Sequence, residues 1–412
     1  MKRTVIIILI LSLVLSMFTV NVFAAETSAP VYLKLSSNSC GADGTIKLTS
    51  SAGFSRIYIE WVGIPGRWTL KADGNETACG INGFQHEYVE LPKDVTEAEF
   101  FMPEGGKIYS VSAFPKDGRP LPEYIEIWEP QPERADVLVI ATHPDDDILF
   151  LGGAIATLAA KKGWTVEVAH LMGYFNKTPV REHERMHGLW ALGVKQYPQT
   201  GRFDAAHEGY RLYSGEWKGF FAITEFVTEL IRRFKPQIVI TQDLGGEYGH
   251  IRHQRLAAAV ADAVEKSMYP DFCPASAQQY GTWDVKKTYL HLYSKNKIVL
   301  DLRQPLEDLG GKTALQAAKD AYKKHVSQQS GWFYVTDDPN DPRADEINAA
   351  YFGLYRSTVG YDTGNDMTEN IVSYAEQEHI AKGKELVKSA LESKAGKVFE
   401  FIKSKQEGGN GI

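Results

Sequence analysis

The stretch VLVIATHPDDDILFLGG, residues 137–153, decides the fold. Val137 to Ile140 form an apolar run with no polar face, as expected of a strand covered on both sides. A turn follows that carries His143 and three consecutive aspartates, and then an apolar pattern at helical spacing over 148–160. Working outward, comparable apolar runs occur at 166–172 and 238–240, separated by helical patterns at 178–192 and 221–234. The spacing predicts an α/β unit in which helices flank a mostly parallel sheet, with ligands bound at the carboxyl ends of its strands. Further elements are expected as a strand over 287–293 and helices over 313–324 and 370–401.

The turn holds more charge than a helix start requires, since one aspartate suffices as an N-cap. A second loop, Leu244-Gly245-Gly246-Glu247-Tyr248-Gly249-His250-Ile251-Arg252-His253, follows the 238–240 strand and leads into a helix at 254–264. In a parallel sheet both loops open on the same edge, so their side chains converge. Two imidazoles and a carboxylate make a tripod that suits a catalytic zinc with an open position for water. Pro144 stiffens the turn, and an aspartate that does not bind metal remains to take a proton from that water.

His143-Pro144-Asp145-Asp146 resembles the opening motif of the zinc-dependent de-N-acetylases known as the PIG-L or LmbE family, and Tyr248 to His253 is similar to that family's later His-x-x-His motif. His325-Val326-Ser327-Gln328 looks like its closing His-x-Ser-Gln segment, whose bland reading is a frayed helix end outside the site. The resemblance implies a Rossmann-like fold, with His143, Asp146 and His253 as zinc ligands and Asp145 as general base. It implies that His250 assists the charged intermediate or the leaving amine. Arg181 and Glu184 resemble the family's Arg-x-x-Glu pair and Asp204 its later aspartate, so Arg181 and Asp204 are expected to touch substrate. Asp147 and Arg252 depart from the family pattern, which usually has glutamate at the first position and an acidic residue at the second.

The remaining sequence frames this unit. Met1-Lys2-Arg3, an aliphatic stretch and Val22-Phe23-Ala24-Ala25 have the form of a cleaved secretory signal over 1–24, so the mature chain is expected to be exported and to have no membrane span. Residues 25–130 alternate short β-branched and aromatic runs, including 31–35, 56–61 and 123–128, with turn clusters; this predicts a small all-β sandwich. Its tryptophans, Trp61, Trp68 and Trp128, are packing residues or a glycan groove. Glu129 to Glu133 read as a stiff linker, 135–335 as the zinc de-N-acetylase domain, and 336–412 as a C-terminal extension with a helix. Cys40 and Cys79 are expected to pair, leaving Cys273 free. A net charge of -7 over 412 residues, without basic runs, argues against a nucleic-acid partner.

These readings point to an exported zinc-dependent N-deacetylase acting on an N-acetylglucosamine-type sugar of an extracellular glycan. One motif competes. His183-Glu184-Arg185-Met186-His187 has the His-Glu-x-x-His form of a metallopeptidase helix. A non-catalytic glycan-binding protein is the third reading.

Overall fold

The computed structural model describes residues 26–201, 203–204 and 217–407; the expected signal segment lies outside them. Strands β1 (Lys34–Leu35), β2 (Thr45–Trp61), β3 (Trp68–Ala72), β4 (Asn75–Cys79), β5 (His86–Phe101) and β6 (Ile108–Phe114) form one antiparallel sheet. Its order is β1-β2-β5-β3-β4, with β6 also on β2. The register of β2 against β5 shifts between Thr49 and Arg56. Before that break β2 pairs with β1, and after it with β6. Ile46 and Leu48 from one half and Ile57, Ile59 and Trp61 from the other still enter one core. In place of a sandwich of two sheets there is a single sheet bent at bulges, which sharpen strand curvature.

Three further expectations in this region are corrected. Cys40 and Cys79 are buried free thiols, bonded to the carbonyls of Met102 and Thr77. Residues 123–128 join no ladder; Ile125, Glu126 and Trp128 are buried because the segment packs as an irregular strap. The linker is tied down as well, since Glu129 exchanges backbone hydrogen bonds with Lys195 and Tyr197.

The second unit contains β7 (Val137–Ala141), β8 (Val166–His170), the short pair β9 (Met172–Gly173) and β10 (Phe203–Asp204), β11 (Ile238–Thr241), β12 (Lys287–His291), β13 (Lys297–Val299) and β14 (Tyr351–Ser357). The main sheet runs β13-β14-β12-β11-β7-β8, with β8, β7, β11 and β12 parallel, β14 antiparallel to β12, and β13 antiparallel to β14. Its helices are α1 (Asp146–Leu149), α2 (Gly152–Ala159), α3 (Val180–Ala191), α4 (Trp217–Phe234), α5 (Ile251–Lys266), α6 (Pro274–Tyr280), α7 (Ala314–Lys324), α8 (Ala344–Ile347) and α9 (Tyr374–Glu407). Val137, Val139 and Ala141 enter a core with α2, α3 and α7, whereas Leu138 and Ile140 enter another with α4 and α5. Each buried aliphatic side chain of this kind contributes about 1.5–3 kcal/mol.

The helix expected over 148–160 is broken between α1 and α2. A Cβ on Gly153 would stand 2.5 Å from Leu302 Cδ1, so the bare backbone is what lets α2 start against its neighbours. Part of the expected C-terminal extension belongs to the sheet, because β14 pairs with both β12 and β13. Its alternation is hard to read in sequence: Gly353 sits where a Cβ would stand 2.3 Å from the Tyr293 carbonyl oxygen. Beyond it, Tyr374 N donates to Asp136 Oδ1 and anchors the start of α9. Among the described residues no helix is long and apolar enough to cross a membrane.

Candidate active site

The chain leaves β7 for β8 on one side, and β11 lies on the other, so the order reverses at β7. The crevice beyond the carboxyl ends of β7 and β11 is where such a sheet binds ligands. Gln242 ties its two walls together: its Oε1 accepts from Thr142 N at 2.8 Å and from Thr142 Oγ1 at 2.5 Å.

Each aspartate of the turn has a separate task. Asp146 Oδ2 accepts from His143 N at 2.8 Å and lies 2.8 Å from His143 Nδ1 and 3.1 Å from His253 Nε2. Asp147 Oδ1 accepts from Asp145 N at 3.0 Å and faces His170 Nε2 at 3.1 Å, fastening the turn to β8. Asp145, which precedes them, has φ 136°, a conformation that residues other than glycine rarely adopt. Burial, reinforced by Asp146 and opposed by Arg181, pushes its carboxyl up to about 8. Burial also works against the charge of Asp146, but His253 and His143 hold that carboxyl well below the usual range.

The opposite wall begins with Glu247, in a short turn that includes Tyr248 at φ 47°. His253 Nδ1 donates to Glu247 Oε2 at 2.7 Å, which aims Nε2 into the crevice. There Nε2 is buried without a hydrogen bond. Asp146 and Glu247 overcome burial and raise His253 to about 10, so the field at this nitrogen holds positive charge. One donor atom each from His143, His250 and His253 lie within 4.8 Å of one another. Nitrogen and carboxylate donors around an unbonded imidazole nitrogen fit a zinc ion, and a carboxylate behind the ligating imidazole is the usual support. His250 borders the same space at the start of α5. Burial and the two neighbouring imidazoles lower it to about 4, leaving a neutral ring.

Arg181 reaches the site from α3, though it grips the protein: Nε donates to Pro144 O at 2.8 Å, Nη2 bonds Asp145 Oδ1, and the guanidinium lies over the Tyr174 ring. It therefore positions the Asp145 carboxylate, beyond the substrate contact expected of it. Asp204 pairs through its backbone with Gly173, while its side chain lies outside the described residues. His325 is buried, and Ser327 donates to Glu184 Oε1 through its amide at 2.6 Å and to Oε2 through its hydroxyl. The closing segment is thus docked on α3, in contrast to a frayed end. These bonds also remove Glu184 from the two histidines beside it in sequence, which face the β-sheet, so the peptidase arrangement is not formed.

Glu247, Gln242 and His170 were not singled out by sequence reasoning. Glu247 had the clearest signal, an acid six residues before His253 in the same glycine-bearing loop.

Residues 138–264 match the family described as PIG-L: GlcNAc-PI de-N-acetylase, and this segment is a PIG-L family domain. The chain is 33% identical over 182 residues to 1D-myo-inositol 2-acetamido-2-deoxy-alpha-D-glucopyranoside deacetylase 1 of Frankia casuarinae, covering 37% of this chain and 57% of that protein. The protein of the same name in Catenulispora acidiphila is 23% identical over 217 residues, covering 45% of this chain and 64% of the other. The chain thus spans less than two thirds of the length of these relatives. A solved N,N'-diacetylchitobiose deacetylase from Pyrococcus horikoshii is similar at TM-score 0.38 and 22% identity, covering 48% of this chain and 72% of that one.

Proposed function

We propose that this chain is an exported zinc-dependent N-deacetylase that hydrolyses the acetamide of an N-acetylglucosamine-type sugar in an extracellular glycan. The observation that carries the proposal is the convergence of His143, Asp146 and His253 beside a carboxylate, Asp145, held on the same turn by Arg181. The PIG-L family domain and the relatives named as deacetylases of an acetamido sugar support amide hydrolysis. The mixed nitrogen and oxygen donor set supports zinc. Export rests on the signal-like residues 1–24, and the polymeric substrate follows from export.

When bound, the ion supplies Lewis-acid polarisation of the amide carbonyl and a more acidic water. Asp145 takes the water's proton as it attacks the carbonyl carbon, and Arg181 fixes the direction from which that carboxylate approaches. His250, neutral and adjacent, donates a hydrogen bond to the developing oxyanion and relays a proton towards the leaving amine. Breaking the carbon–nitrogen bond releases acetate and a free amino sugar. The test is acetate release from N-acetylglucosamine oligomers by the chain from residue 25 onward, with and without added zinc. Release that depends on zinc and on His143 is expected; none from any N-acetylated sugar overturns the proposal.

A further inference from the structure

The histidines of the unused His-Glu-x-x-His motif lie in a second cluster, between α3 and the β-sheet. His183 and His187 project from α3 towards Glu60 on β2 and His86 on β5, with Glu126 of the irregular strap beside them. His86, Glu60 and Glu126 are buried, and His187 keeps a 30% exposed side chain that leaves a route to solvent. The residues come from four separate parts of the sequence.

Glu126 fixes the chemistry of the group. Its Oε2 accepts from His86 Nδ1 at 2.7 Å and its Oε1 from His187 Nδ1 at 2.6 Å, while Trp128 Nε1 donates to Oε2 at 2.7 Å. One carboxylate therefore takes the Nδ1 proton of both imidazoles, which leaves a lone pair on the Nε2 of each, that of His86 beside His183 Nδ1 at 2.8 Å. His187 Nε2 then meets Glu60 Oε1 at 3.2 Å. If the ring is neutral, these are two acceptors face to face, so a positive charge must lie on or between them. A proton on His187 meets this need, because the ring then lies between two carboxylates, Glu126 at 2.6 Å and Glu60 at 3.2 Å. A divalent cation meets it more completely, because it balances both carboxylates.

We propose that Glu60, His86 and His187 bind a second zinc ion, which clamps the β-sheet to α3. One donor atom from each of the three lie within 4.8 Å of one another. Zinc bonds to nitrogen and oxygen of about 2.0–2.2 Å set tetrahedral donors roughly 3.3–3.6 Å apart, close to the spacing of His187 Nε2 and Glu60 Oε1. Glu126 is the outer carboxylate that holds ligating imidazoles in the required tautomer. His183, stacked on Tyr109, closes the outer side, and the 2.8 Å contact of its Nδ1 with His86 Nε2 is the one hydrogen bond that the metal has to replace. Binding sets two carboxylates against one dication. The clamp lies one to two helical turns from Arg181, so it also steadies the helix that presents the Asp145 partner.

The experiment is zinc content per chain of the protein from residue 25 onward, after equilibration with zinc and removal of excess by gel filtration. Two ions are expected in the parent, one in His187→Gln, and one in His143→Ala/His253→Ala, which disables the crevice. No zinc in His143→Ala/His253→Ala, or an unchanged count in His187→Gln, overturns the proposal. X-ray absorption at the zinc edge of His143→Ala/His253→Ala provides a readout that does not depend on how His187→Gln folds. Two imidazoles with oxygen donors are expected, and a spectrum with one imidazole or none overturns it. Neither measurement reads acetate release, so the clamp and the deacetylase reading fail separately.

Discussion

The crevice and the cluster under the β-sheet are built on the same device. In each, one buried glutamate accepts an Nδ1 proton on each of its two oxygens: Glu247 from His253 and His291, and Glu126 from His86 and His187. The difference lies in what remains unused. The crevice sits at the carboxyl ends of parallel strands, on a turn with Asp145 at φ 136°, and holds in Asp145 a carboxylate that none of the imidazoles engages. The cluster is assembled from β2, β5, the strap and α3, and Glu184, the acid of the same helical motif, is bonded to Ser327. A metal held with a spare base does chemistry, whereas one held without it holds parts together.

The sharpest way to break this contrast is Asp145→Asn. The amide keeps the shape of the turn and leaves Asp146, His143 and His253 in place, so zinc content should be unchanged. Removing a general base lowers the rate by about 10²–10⁴. The check is kcat for acetate release beside zinc per chain; near-parental turnover would assign the base elsewhere and leave the two clusters chemically alike.

Next in size is Glu247→Gln, which exchanges an acceptor oxygen for an NH2 group facing either His253 or His291. Loss of such a support costs about 10–100-fold in metal affinity. Competition with a chelator should show this weakening for the ion on which acetate release depends. The other ion should keep its affinity, and equal weakening of both would show that the sites are not independent.

Glu126→Gln is the matched change under the sheet, and it should move stability more than catalysis. A charged hydrogen-bond partner of two imidazoles is worth about 1.5–3 kcal/mol per bond lost, so the thermal midpoint should fall by roughly 5 °C or more. The kcat on a short sugar should stay within about twofold of the parent. A collapse of kcat at an unchanged midpoint would place Glu126 in the reaction and not in the clamp.

The same contrast explains what was legible in the sequence. His143, Asp145 and Asp146 share one turn and His250 and His253 one loop, and the apolar runs of β7 and β11 fix both at the same edge. Local spacing plus strand direction therefore carries nearly all of that site. Glu60, His86 and Glu126 have no common spacing. They meet only because bulges bend β2 and β5, and because 123–128 packs as a strap where alternation suggested a strand. Bulge positions follow from cross-strand packing, which a single run of residues does not display. The motif His183-Glu184-x-x-His187 misleads for a related reason: helical spacing places the two histidines on one face, but tertiary contacts decide where Glu184 points.

Glu184→Gln is the gentlest change and tests that last point. The peptidase reading makes Glu184 the base, so it requires loss of nearly all activity. The observed bonds give it a lesser task, accepting from the amide and hydroxyl of Ser327 and so docking the 325–328 segment on α3. Glutamine keeps one acceptor oxygen, which can still take the amide hydrogen bond, and the hydroxyl can rotate to accept from the new NH2. What is lost is the charge, worth about 1 kcal/mol when a charged hydrogen bond becomes a neutral one. In a unit of this size that is roughly 2–4 °C in the thermal midpoint. Zinc content should not change, because Glu184 touches none of the six donors in the two clusters. A lost ion in Glu184→Gln would mean that α3 is held in register by Ser327 as much as by His187, and the clamp would then be one of two fastenings.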